Sequence, residues 1–213
     1  MKTFATLRDE HVYPGTRAAW RRWLTAHHGR AAGLWVVLDR GGARGRLDYA
    51  GLVEEALCFG WIDSRPGALD DAHTRLWCAP RRPGSRWSRL NRRRAEALIA
   101  SGRMAAPGLA RIEAAKRDGT WTALDAVEDG QLPDDLRRAL RRVAGATKYF
   151  AAFPRSTTRA ILEWIAAAKT PGTRAKRIAE TARLAGRNVR ANQWRQPKSA
   201  GTAPKKAARR RAA

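Results

Sequence analysis

The stretch Asp48-Tyr-Ala-Gly-Leu-Val-Glu-Glu-Ala-Leu-Cys-Phe-Gly-Trp-Ile-Asp-Ser64 changes its hydrophobic period halfway along, and that change decides the fold class. In its first half Tyr49, Leu52, Val53, Ala56 and Leu57 recur at helical spacing, and Asp48 is placed to cap the helix. In its second half Phe59 to Ser64 reads as a short strand. A Pro/Gly/Asp-rich turn from Pro66 to Asp71 leads to a second short strand, Arg75 to Ala79.

Upstream, Trp20, Trp23, Leu24 and His27 fall on one face of a helix over Gly15 to Gly29, with Gly29 as its C-terminal cap. Leu34-Trp-Val-Val-Leu38 is apolar on both faces, as expected of a strand covered on each side. The loop from Arg40 to Arg46 is basic and Gly-rich, but no GKS or GKT follows, so it is not a phosphate-cradling P-loop. Downstream, Ser85 or Ser88 caps a helix to Ser101, stopped by Gly102, and Pro107 opens another that ends at Gly119.

The acidic span from Leu124 to Gln131 is the best domain boundary. Beyond it the pattern is helical. Pro133 starts one helix near its first position. Ser156 or Thr157 starts the next, with Ala160, Ile161, Trp164, Ile165 and Ala168 on one face. Thr173 caps a last helix, closed by Gly186. From Arg187 onward there are basic residues and no acidic ones, which reads as a disordered cationic tail. The fold class expected is α+β: a small, mostly antiparallel sheet packed with helices, then an all-helical C-terminal module and a disordered basic tail. The divisions are 1–124, 132–186 and 187–213.

Composition agrees with a packed domain. The chain has 213 residues, 44% of them hydrophobic, including nine Trp. A core of that size needs no disulfide staples. The two cysteines, Cys58 and Cys78, form no CxxC and join no Cys/His cluster, so no zinc site and no other cofactor is expected. Charge is the loudest feature: 43 Lys and Arg stand against 19 Asp and Glu, for a net +24. Such a surplus attracts polyanions, nucleic acid first among them. Arg8, Asp9 and Glu10 interrupt the N-terminus before any signal-like apolar run, and the longest apolar stretch, Leu34 to Leu38, is far short of a membrane span. A cytoplasmic location and reduced thiols are therefore expected.

Three motifs carry a family resemblance. They are Glu54-Glu-Ala-Leu-Cys-Phe-Gly-Trp-Ile-Asp-Ser64, Pro80-Arg-Arg-Pro-Gly-Ser-Arg-Trp-Ser-Arg-Leu-Asn91 and Ala168-Lys-Thr-Pro-Gly-Thr-Arg-Ala-Lys-Arg-Ile178. From about Trp20 to Gly186 the chain resembles the YdeI/OmpD-associated, or bacteriocin-protection, family, with an OmdA-type helical module at its C-terminus. The resemblance implies a stress or bacteriocin-protection role. It brings no catalytic residue with it, so a non-enzymatic protein is expected.

Two groups of residues are candidates for binding. Trp87 and Asn91 share a helix face with Arg94, Ala95 and Leu98, and Arg81 and Arg82 precede them. With Trp61 and Asp63 they are candidates for a pocket: guanidinium forks take carboxylate or phosphate, and Trp supplies a stacking face. The plainer expectation is that Asp63 pairs with Arg81 or Arg82, and that Asn91 bonds neighbouring backbone. Such a pocket would serve an enzyme or a small anionic ligand. The second group is the tail: Arg187, Arg190, Trp194, Arg195, Lys198, Lys205, Lys206, Arg209, Arg210 and Arg211. Cations in that number near a nucleic acid give steep salt dependence and little sequence preference, and Trp194 could stack on a base.

Overall fold

The computed structural model describes residues 10–41, 45–193 and 196, in two compact units, residues 1–125 and 126–213. In the first unit the elements run β1 (His11–Val12), α1 (Arg17–His27), β2 (Leu34–Asp39), α2 (Tyr49–Cys58), β3 (Trp61–Ala68), β4 (His73–Pro80), α3 (Arg89–Ala100) and α4 (Ala106–Arg117). The sheet order is β1-β2-β4-β3. Only β1 pairs in parallel; β2–β4 and β4–β3 are antiparallel. The class is α+β, with a mostly antiparallel sheet as expected. The helix starts are fixed by side chains that accept an orphan amide: Thr16 for α1, Asp48 for α2 and Ser88 for α3.

Strand alternation sorts the sheet into two unlike faces. Leu34, Val36 and Leu38 of β2, Leu76 and Cys78 of β4 and Trp61 of β3 are buried in one core. That core also holds Trp20 and Leu24 of α1, most of α2, Ala95 and Leu98 of α3, and Ile112 and Ala115 of α4. On the other face Trp35 and Trp77 face each other across the β2–β4 ladder and are half-buried. The expectation that β2 is covered on both sides holds in part: on its second face Val37 is buried and Trp35 half-buried, although neither belongs to the core that holds the helices.

The second unit begins within the short helix α5 (Asp125–Glu128), which lies in the span read as a loop. It continues through α6 (Asp134–Arg141), α7 (Ala146–Ala151), α8 (Arg155–Ala166) and α9 (Pro171–Ala185). Leu136, Leu140, Phe150, Ile161, Leu162, Ile165, Ile178 and Ala182 form its core. Three helix starts differ from expectation. Pro133 and Pro154 stand just outside α6 and α8, so α8 begins at Arg155 and not at Ser156 or Thr157. Thr170, not Thr173, caps α9: its hydroxyl accepts from the Thr173 amide at 3.1 Å. The helix α7 is too short to show a hydrophobic period, and it follows a left-handed Gly145.

The stretch read as a disordered tail from Arg187 starts as packed chain. The amides of Arg187, Asn188 and Val189 bond the last turn of α9, and Ala191 is buried. Arg190 lies 5.8 Å from the Phe153 ring. Trp194, Arg195, Lys198, Lys205, Lys206, Arg209, Arg210 and Arg211 lie outside the described residues.

One ionic cluster ties the first unit together. Glu55 points from α2 into the fold and is 1% exposed. Its carboxylate accepts from Arg17 Nε at 2.7 Å, from Arg21 Nη1 at 2.7 Å and from Arg103 Nη2. Arg17 also reaches Glu54 at 2.6 Å, and Arg21 donates its other nitrogen to the Arg103 carbonyl at 2.8 Å. The cluster thus joins α1, α2 and the segment before α4. Burial pushes the Glu55 carboxyl up, but the guanidinium groups of Arg17 and Arg21 outweigh it and leave its pKa below the ordinary carboxylate range.

Removing one member of a buried pair typically costs about 3–5 kcal/mol. The three arginines keep a third or more of their side chains exposed and can regain water, so the low end applies. Glu55→Ala is expected to lower unfolding free energy by about 3 kcal/mol in urea denaturation. The folded-state pKa is depressed, so the Glu55 contribution is complete above the unfolded value of about 4.3. It is lost as pH falls through the lower folded value, and the difference between wild type and Glu55→Gln should shrink there.

Candidate functional site

Gly60 organises the neighbourhood where the expected pocket residues begin. It sits in the left-handed region, at φ 74°, between α2 and β3. Its carbonyl accepts from the Arg81 amide at 2.9 Å. A Cβ there would lie 2.7 Å from the Arg111 stem and 3.1 Å from the Pro107 carbonyl. Only glycine meets both demands. A second close approach sets α4: a Cβ on Gly108 would lie 2.4 Å from the Cys58 carbonyl. The FGW motif and α4 thus bring Arg81 and Arg111 to one place.

Arg81 is 4% exposed. Its guanidinium carbon lies over the Trp87 ring, 3.8 Å from the centroid, and the group donates to the Arg86 carbonyl at 2.9 Å. Trp87 is itself buried against Trp121, with ring centroids 4.9 Å apart. No carboxylate among the described residues lies within ion-pair distance of Arg81. Burial pushes its pKa down to about 10, partly opposed by the charge of Asp63, so it stays cationic at neutral pH.

Arg81 borders two clefts. The larger, of about 590 Å³, is lined by Arg30, Arg82 and Arg111 together with Trp77, Gly33 and Pro83. The smaller, of about 130 Å³, lies between Arg82, Arg111, Trp87 and Asp118. Among the described residues no acidic side chain lines the larger cleft. Arg30 is paired with Glu10, at 2.5 and 2.7 Å. Arg82 and Arg111 are exposed and have no ion-pair partner among the described residues.

The six expected pocket residues therefore divide. Arg81, Arg82 and Trp87 stand together at the clefts. Trp61 is fully buried, and its indole N–H donates to the His28 carbonyl at 3.0 Å. Asp63 accepts from the Tyr49 hydroxyl at 2.9 Å, where an ion pair with Arg81 or Arg82 was expected. The bulge between Asp63 and Pro66 carries the chain away after that position. Asn91 does not bond neighbouring backbone through its amide oxygen, which accepts from Arg94 Nη1 at 3.2 Å. Arg30, Trp77 and Arg111 belong to the larger cleft and escaped the sequence reading. Gly60 and Gly108 were the legible signal for Arg111, since each marks a close backbone approach.

Other chemistry is weakly supported. Cys58 and Cys78 are buried free thiols, and burial pushes both pKa values up, away from nucleophilic reactivity. Among the described residues there is no group of three or more His, Cys, Asp or Glu that could hold a metal ion. No helix among them is long and apolar enough to cross a membrane.

Two family comparisons cover most of the two units. Residues 12–111 match a domain of unknown function (DUF8412). Residues 129–188, in the second unit, match the OmdA family model, described as "Bacteriocin-protection, YdeI or OmpD-Associated". No curated protein and no solved structure matches the chain.

A bound anion would supply the counter-charge that Arg81 lacks. Exchanging chloride for phosphate at constant ionic strength should raise Tm by about 2 °C or more beyond the general salt effect. Arg81→Met fixes that general effect: it should lose the excess while leaving Tm in chloride unchanged or higher, because it removes a buried charge.

Proposed function

We propose that this OmdA-bearing chain is a non-enzymatic, cytoplasmic polyanion-binding protein of the stress or bacteriocin-protection type, with nucleic acid as its polyanion. The observation that carries the reading is Arg81, a buried guanidinium without a carboxylate partner that borders a cleft rimmed by Arg82 and Arg111. A phosphate in the larger cleft meets three cations, and no acidic side chain among the described residues lines it. The net charge of +24 supplies long-range attraction, and the basic residues after Gly186 add sequence-independent contacts. The protective role rests on the description of the family matched by residues 129–188.

The test is binding of a labelled oligonucleotide to the full chain across a salt series. Affinity is expected to fall steeply, with each phosphate contact adding about 0.7–0.9 to the slope of log affinity against log salt. Both rim arginines are exposed, so Arg82→Glu with Arg111→Glu leaves the fold intact and should reduce the slope by about 2. An unchanged slope would remove the cleft from the interface. No binding near physiological salt would sink the polyanion reading altogether.

A further inference from the structure

Arg81, Arg82 and Arg111 line both clefts beside the Trp87 loop. Three guanidiniums therefore gather along one shared edge and are not strung out over a surface. Arg81 is the fixed member, held by burial and by the Trp87 ring. Both of its hydrogen bonds leave from Nη2, to the Ser85 carbonyl at 3.4 Å and the Arg86 carbonyl at 2.9 Å. Its Nε and Nη1 have no partner among the described residues, yet neither is sealed from solvent.

The opposite wall of the larger cleft is built from small residues, Gly29, Ala31, Ala32 and Gly33. A Cβ on Gly33 would lie 2.5 Å from the Cys78 carbonyl, so this segment lies close against β4 and closes that side. Arg30 also lines the cleft, but Glu10 answers its charge. The volume of about 590 Å³ falls within the range of about 300–1,000 Å³ that encloses one small ligand. A groove that tracks a strand takes about four nucleotides or more. The cleft therefore has the size for the end of a strand, and is too small for a run of backbone.

Charge points the same way. An internal phosphodiester carries a single negative charge on its two free oxygens. A terminal phosphate monoester carries about −1.5 to −2 at neutral pH on three oxygens. Guanidinium forks bond oxygens in pairs. Three of them at one edge use all the oxygens of a monoester and leave a diester with a surplus of cations.

We propose that the cleft of Arg81, Arg82 and Arg111 takes the terminal phosphate monoester of a nucleic-acid strand, with the end nucleotide inside the cleft and the rest of the strand outside it. The proposal rests on the polyanion reading and names the part of the strand that the cleft holds.

The experiment uses the full chain and oligo(dT) of about twelve nucleotides with a 5′-phosphate, a 3′-phosphate or hydroxyls at both ends. At equal salt a strand phosphorylated at one end should bind about tenfold more tightly than the hydroxyl strand. A hydroxyl strand one nucleotide longer, which gains charge without gaining an end, should bind within about twofold of the shorter one. The ratio of phosphorylated to hydroxyl affinity should fall to about one in Arg81→Met, and about threefold in Arg82→Gln, at an exposed position. A ratio of one in the wild type, or a ratio that Arg81→Met and Arg82→Gln both leave unchanged, would overturn the end site and leave the polyanion reading standing. A phosphoserine peptide or a nucleoside monophosphate that binds as tightly as the phosphorylated strand would assign the cleft to that ligand and overturn the proposal. Absence of binding to every strand would overturn both readings.

Discussion

The buried carboxylate of Glu55 is the constraint on which the first unit depends. A carboxylate 1% exposed survives only if its charge is met on several sides. Three arginines meet it, from α1 and from the segment before α4. Satisfying that one group fixes where α1 crosses α2 and where the chain enters α4. Gly108 then draws α4 against the Cys58 carbonyl, and α4 brings Arg111 to the cleft. The site is thus downstream of the ionic cluster, although the two share no side chain.

Arginine plays opposite parts in the two places. Around Glu55 the guanidiniums are answered by carboxylates, and their charge is spent inside the protein. At the cleft Arg81 is far more deeply buried than those arginines and is answered only by carbonyls and the Trp87 face. A buried charge in that state costs stability, and it is this uncompensated charge on which the proposed anion site rests. The same contrast runs across the sheet. One face is closed by aliphatic side chains and helices, and the other holds tryptophan and arginine.

Much of the fold was legible in the sequence, because capping residues and periodicity act locally. Asp48 and the stripe of α2 placed that helix, and Ser88 was one of two caps offered for α3. The short helix α7 and the two-residue strand β1 were not legible, since neither is long enough to show a period. The two faces of β2 could not be told apart either: Trp35 is apolar in sequence whether a helix covers it or a solvent-facing arginine does. Arg81, Arg82 and Trp87 were grouped because they are adjacent in one motif, and they do stand together at the clefts. Arg30, Trp77 and Arg111 were missed because only the tertiary fold brings them there. Asp63 and Asn91 were grouped with the pocket by sequence proximity, but each has a neighbour of its own, Tyr49 and Arg94.

The most direct measurement is NMR of the tryptophan indole and arginine Nε–H resonances during titration with a short single-stranded oligonucleotide. The indole signal of Trp77, which lines the larger cleft, and the Nε–H signal of Arg81 should shift together and saturate with one affinity. Those of Trp20 and Trp61, sealed in the core, should stay in place. Shifts confined to residues after Gly186, with Trp77 and Arg81 silent, would contradict a site built by the folded domain.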